Sequence, residues 1–368
     1  MSITSIIKKS HLVFGLLFGV YFSFFLWQRW SNDPETGWKK IIDSDGKGYY
    51  AYLTRLFIKG DLEIHESEEA YAVPTRDGKY INRFYCGTAL LETPFFALAY
   101  GVAVIGGYEL NGYSEPFAFT MAFASIFYVL AGFYFIYVLL KNRLDLEENT
   151  SLLIILVAAL GTNILYYASI QATFSHAYSF FAVSWFIFQF YKTIDHPNSK
   201  NTFILALIFS LIVVIRPVNA IVILLIPFFF SGFRELREFF LTNFLSKKII
   251  FIISGGLIPV FIQTWFWYMQ TGNWIEWSYV QEGFNFTHPE LFRVLFSFRR
   301  GLFIYCPLLL VSLLGFYFWW KENRWKTIWL FLFLFSFTYI ISSWWHWTYG
   351  DTFGMRPFND VLLVFIFL

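Results

Sequence analysis

Apolar residues run for membrane-spanning length again and again along this chain, and the charges collect in the polar stretches between the runs. The first run is HLVFGLLFGVYFSFFLWQ, residues 11 to 28; others lie at 117 to 140, 151 to 169, 177 to 192, 249 to 270, 302 to 320 and 325 to 342. About 20 apolar residues in helical conformation cross the hydrocarbon core of a bilayer, so each run predicts a spanning helix. The first follows Lys8 and Lys9 and lacks the small-x-small cleavage pattern of a removable signal peptide. It predicts a retained anchor with the N-terminus in the cytoplasm.

Two further runs are ambiguous. Residues 88 to 107 carry Glu92, Pro94 and several glycines, and 202 to 230 are interrupted by Arg216-Pro217. The excess of Lys and Arg in cytoplasmic loops decides both. If 88 to 107 lies along or dips into the outer face without crossing, Lys141, Arg143, Lys192 and Lys200 all fall inside. If 202 to 230 makes two short crossings meeting at Arg216, Arg234, Arg237, Lys247, Lys248, Lys321, Arg324 and Lys326 fall inside as well, leaving Arg293, Arg299, Arg300 and Arg356 outside. Each half is then about 14 residues, short for a full span at 1.5 Å per residue, which predicts a thinned or broken passage.

This topology places residues 29 to 116, the turn at Arg216, 271 to 301 and 343 to 358 on the extracytoplasmic side. The expected architecture is an all-α integral membrane protein, one membrane domain over residues 1 to 368. Spans occupy 11 to 28 and 117 to 342, and residues 359 to 368 read as the start of a truncated span. Composition agrees: with 57% hydrophobic and only 14% charged residues, a soluble surface would have to expose very large apolar patches. The formal charge of +2 and the lack of a basic tract exclude nucleic-acid binding as an expectation.

Candidate chemistry lies in the outer loops. Residues 43 to 57, DSDGKGYYAYLTRLF, place Asp43 and Asp45 before a stretch whose Tyr49, Leu53, Leu56 and Phe57 share one helical face, as in a helix lying in the membrane interface. The local pattern equally fits an N-cap in which Ser44 or Asp45 accepts from the first backbone N–H groups. Arg216 is costly inside an apolar run, about 2.5 to 3.5 kcal/mol at a helix centre, so it should face a cavity or partner or snorkel to the interface. Gly350, Gly354 and Arg356 set a guanidinium in a flexible turn walled by Trp344, Trp345, Trp347 and Tyr349. Such a turn can grip a phosphate, and the rings can stack on a sugar or form a bilayer-edge belt. His65, His176, His288 and His346 are scattered without ligand spacing, so no metal site is predicted. Cys86 and Cys306 are expected to be free thiols.

Taken together, these features resemble the GT-C superfamily of lipid-dependent glycosyltransferases, and most closely its bacterial multi-pass members with a dolichyl-phosphate-mannose mannosyltransferase-like domain, akin to protein O-mannosyltransferases. The family pattern S-D-G-x-G-Y-Y-x-Y matches Ser44, Asp45, Gly46, Gly48, Tyr49, Tyr50 and Tyr52. K-Y-P-x-G-x-A-L-L-x-x-P-F-F is approximated from Arg83 to Phe96, with Tyr85 where the family has proline. R-G-L-F-x-Y-x-P matches from Arg300 to Pro307, and Y-G-x-x-F-G-x-R matches from Tyr349 to Arg356.

The resemblance implies an inverting transfer of a sugar from a polyprenyl-phosphate donor to an acceptor hydroxyl on a glycan, lipid or protein. The site would be on the extracytoplasmic face of a bacterial cytoplasmic membrane. It implies Asp45 as general base with Asp43 as the alternative, Arg216, Arg356 and Arg300 as donor-phosphate ligands, and Tyr49, Tyr50, Trp345, Trp347 and Tyr349 as sugar or acceptor contacts. A donor with one phosphate requires no chelating metal, although a divalent cation is compatible with it. A lipid-linked oligosaccharide flippase and a glycan polymerase using diphosphate-linked repeats are the alternatives. The first would need charged residues lining a path through the spans.

Overall fold

The structure is a computed structural model that describes residues 9–31, 35–64, 71–243, 247–280 and 282–368. His65 lies outside the described residues. The chain folds as an all-α membrane protein whose passes alternate in direction. α1 (Lys9–Leu26) lies antiparallel to α4 (Glu115–Arg143): Phe14 meets Tyr137 towards one end and Phe25 meets Phe119 towards the other. α5 (Glu148–Leu160) and α6 (Ile164–Ser169) return between them, broken at Gly161 where one span over 151 to 169 was expected. α7 (Ser175–Asp195) then runs parallel to α4, with Tyr128 against Tyr178 and Phe135 against Phe188.

The chain climbs again in α8 (Ser199–Ile215), reverses at Arg216, and descends as a 3-10 helix (Pro217–Phe229) whose last ring packs on Phe190. Two short apolar segments of opposite direction therefore meet at Arg216. Pro217 explains the turn, because its ring cannot continue α8 and its missing N–H breaks the hydrogen-bond ladder. After α9 (Phe233–Asn243), bent 116° from the segment before it, α10 (Ile249–Thr271) rises beside α8. The expected span over 302 to 320 is broken into α12 (Leu302–Tyr305), α13 (Pro307–Ser312) and α14 (Gly315–Glu322), following a short α11 (Leu291–Phe296). Pro307 again marks a break. α15 (Arg324–Ser342) rises to the loop 343 to 355, and a 3-10 turn (Arg356–Val361) leads into α16 (Leu362–Phe367).

Among the described residues five helices are long and apolar enough to cross a membrane: Lys9–Arg29, Gly87–Gly106, Glu115–Arg143, Ile249–Thr271 and Arg324–Ser342. The second is α3, a continuous helix where a non-crossing stretch was expected. It packs on the half of α4 nearer Glu115: Tyr128 Oη donates to the Leu91 carbonyl at 2.7 Å, and Phe96 meets Phe117. α3 thus starts about midway along α4 and runs towards the end where α4 begins. Between α1 and α3 lie α2 (Asp45–Thr54) and a small hairpin of β1 (Ala72–Pro74) and β2 (Tyr80–Asn82). α2 is not the interfacial helix expected from its pattern. Tyr49 to Thr54 are all buried, so the helix is enclosed by protein.

The basic residues sort to the two ends of the bundle. Lys141 pairs with Glu148, Arg143 with Asp195, and Lys248 Nζ donates to the Pro197 carbonyl, all at the end opposite Arg356. Both native cysteines are buried free thiols, which leaves a quiet background for labelling. If the basic-rich end faces the cytoplasm, Asp77→Cys and Thr287→Cys react with an impermeant maleimide in intact cells, and Arg234→Cys reacts only after permeabilisation. Labelling of only one of the first two would break the shared outer side on which the site depends.

Candidate active site

At the end of the bundle where α1, α8, α10 and α15 finish, a cavity of about 690 Å³ is lined by residues from distant parts of the chain. Asp45 enters it from the first turn of α2. Its Oδ2 lies 2.7 Å from Arg356 Nη2, and the Arg356 guanidinium also lies over the Phe174 ring, 5.3 Å from its centroid. The expected cap by Ser44 is absent, since its side chain makes no cap bond. Instead Ser44 takes φ +52°, a left-handed conformation unfavourable for a residue with a side chain, and the turn directs Asp45 to arginine. Such strain concentrates where the surrounding structure holds it.

Close packing holds this turn. A Cβ on Gly46 would sit 1.9 Å from Thr173 Oγ1, and one on Gly48 would sit 2.1 Å from the Phe84 ring. Thr173 is itself tied to the Ile41 carbonyl at 3.0 Å, and Asn82 donates to the Gly48 carbonyl at 2.7 Å. This is the physical content of the D-G-x-G spacing. Gly46→Ala is expected to cost about 1 to 3 kcal/mol through overpacking and to displace Asp45, whereas Gly78→Ala, in open space at positive φ, costs only local backbone strain. Thermal unfolding of the two variants in one detergent checks the ranking.

Arg216 lines the same cavity from the end of α8. Its Nε lies 3.5 Å from Asp360 Oδ2, and its Nη1 packs 3.0 Å from both ring nitrogens of His176. Asp360 is fully buried; it also takes the His176 Nδ1 contact at 2.7 Å and a bond from Asn219 Nδ2 at 2.8 Å. Arg83 and Glu282 form another pair on the wall at 3.3 Å. Every arginine facing the cavity among the described residues thus has a carboxylate beside it. Burial pushes the phenols of Tyr49 and Tyr279 above their ordinary value, so both stay protonated near neutral pH.

The structure gathers Asp45, Arg216, Arg356, Tyr49, Trp345 and Tyr349 around this one cavity. Others of the expected residues lie elsewhere. Asp43 is half exposed and paired with Lys47 at 2.9 Å. Arg300 turns to Asp351 at 3.2 Å and to Thr352, and Arg299 reaches the same Asp351. Tyr50 is in the core with its hydroxyl on the Gly112 carbonyl, and Trp347 packs half-buried against the core. Among the described residues no group of three or more His, Cys, Asp or Glu is placed to hold a metal ion.

His176, Asp360, Asn219, Arg83 and Glu282 were not singled out by sequence as partners in the site. One signal was available. Asp360 is an acid at the head of the apolar run 361 to 368, where an unpaired charge is costly for the same reason as at Arg216.

Chemically, the cavity combines a carboxylate held in place, three guanidinium groups from separate parts of the chain, and aromatic faces at Trp344, Trp345 and Tyr279. Pro217, Val218, Ile221 and Ile340 make one wall apolar. No family model matches the chain, and no curated protein or solved structure matches it.

Proposed function

We propose that this protein is an inverting glycosyltransferase of GT-C type, moving a sugar from a polyprenyl-phosphate donor to an acceptor hydroxyl on the extracytoplasmic side of the membrane. The observation that carries the reading is Asp45, held 2.7 Å from Arg356 on the wall of a cavity that Arg216 also faces. A carboxylate fixed by an arginine is aimed, as a general base must be. Two arginines offer the leaving phosphate its charge-assisted hydrogen bonds. The apolar wall suits a prenyl chain, and the aromatic faces suit a sugar ring.

In the proposed reaction the acceptor O–H gives its proton to Asp45 as its oxygen attacks the anomeric carbon. The bond from that carbon to the phosphate oxygen breaks, its electron pair staying on the phosphate. Arg216 and Arg356 stabilise the charge that gathers there, more in the transition state than in the ground state. Attack from the face opposite the phosphate inverts the anomeric centre.

Mass spectrometry of lipids that copurify with the protein tests the donor assignment. A polyprenyl monophosphate, with or without its sugar, is expected. A diphosphate-linked oligosaccharide in its place would favour a polymerase or flippase.

A further inference from the structure

Arg216 is held by a buried network assembled from three elements. His176 comes from the first turn of α7, Asn219 from the 3-10 segment after Arg216, and Asp360 from the 3-10 turn near the end of the chain. Asp360 accepts from His176 Nδ1 at 2.7 Å and from Asn219 at 2.8 Å, and its Oδ2 faces Arg216 Nε. With Nδ1–H given to Asp360, Nε2 is the acceptor the imidazole keeps, and Arg216 Nη1 packs 3.0 Å from both ring nitrogens. Two edges of the guanidinium are thereby engaged from behind while the side chain still lines the cavity.

The same short turn, Arg356–Val361, carries Arg356, which meets Asp45, and Asp360, which meets Arg216. One segment therefore sets both arginines. A fully buried carboxylate is costly unless it is paired and hydrogen-bonded, and a packed apolar residue would serve stability as well or better.

We propose that Asp360 and His176 are positioning residues, which lock the Arg216 guanidinium in the orientation it presents to an anionic ligand in the cavity. The ligand assignment rests on the transferase reading, but the positioning does not.

Two measurements on the full chain in nanodiscs separate the two. The first is the rate at which phenylglyoxal modifies Arg216, read by peptide mass spectrometry. Released from Asp360, the guanidinium moves freely in the cavity, so Asp360→Asn and His176→Leu should speed modification by about threefold or more. His176→Asn keeps a donor for Asp360 and an acceptor for Arg216, and should leave the rate near the parental one. Equal rates in all four proteins would overturn the positioning role, as would tolerance of His176→Leu with the parental rate.

The second is binding of undecaprenyl phosphate by native mass spectrometry. Asp360→Asn should weaken it by about tenfold, and Asp360→Asn combined with Arg216→Lys should be no weaker than Arg216→Lys alone, because both changes act through one group. Additive losses would mean that Asp360 acts independently of Arg216, contrary to the proposal. If the parental protein fails to bind the lipid phosphate while Arg216 reactivity responds as described, the donor reading falls and the positioning role stands.

Discussion

Asp45→Asn should lower sugar transfer by at least about a hundredfold and leave donor binding near the parental level. General-base catalysis contributes about 10² to 10⁴ in rate, and asparagine keeps the shape of the side chain while losing its proton affinity. The pair with Arg356 is partly exposed, with Asp45 at 30% of its side-chain surface, so its removal costs little stability, about 0 to 1 kcal/mol. Removing the carboxylate also frees Arg356, so donor phosphate binding should hold or tighten. A purely structural role gives the opposite pattern, with turnover retained and the melting temperature reduced. Asp43→Asn is the control: Asp43 is bonded to Lys47 outside the cavity, and its change should leave transfer unaltered. Inactivity of Asp43→Asn with Asp45→Asn active would move the base two residues upstream.

The second large effect is expected at the arginines. Arg356 reaches Asp45 with one nitrogen, and a planar guanidinium can offer another edge to a phosphate. Lysine is a compact point charge and cannot hold both at once, so Arg356→Lys should weaken binding of a polyprenyl-phosphate sugar by about ten- to a hundredfold, about 1.4 to 2.8 kcal/mol. Arg216→Lys should behave alike, since it gives up the contacts with His176 and Asp360. Titration of both variants with the lipid, alongside a check of membrane insertion, measures the loss. Should both bind as the parent does, neither is the phosphate clamp. Arg83 would be the next candidate, because Arg299 and Arg300 are turned to Asp351.

Much of the fold was legible because lipid imposes a single rule on sequence: spanning segments must be long, apolar and helical. α4, α10 and α15 follow their apolar runs to within a few residues, and the Arg216-Pro217 interruption marks where α8 ends and the chain reverses. Breaks inside runs were harder to see. Gly161 and Pro307 interrupt stretches whose composition is continuous, and the cost of a break depends on what packs against the freed backbone groups, which local sequence does not carry.

The same division holds at the site. Asp45 could be selected from its glycine-rich turn, but that Arg356 lies beside it is a long-range fact, made by the alternation of passes. Tyr50 and Trp347 show the converse. Each sits next to a residue of the cavity in sequence, and helical geometry or a tight turn sends the neighbour away from it. His176 has no ligand partner near it in sequence, because its partner Asp360 is 184 residues away in the chain.

Reconstitution gives the most direct test of the central claim. Protein in sealed vesicles receives an undecaprenyl-phosphate sugar labelled in the sugar, together with envelope extract as a source of acceptors, and the label is followed. The account predicts that the label leaves the lipid, appears on an acceptor in a new glycosidic bond of inverted configuration, and fails to do so with Asp45→Asn. Label that crosses the vesicle membrane on the intact lipid, without transfer and equally in both proteins, would contradict it.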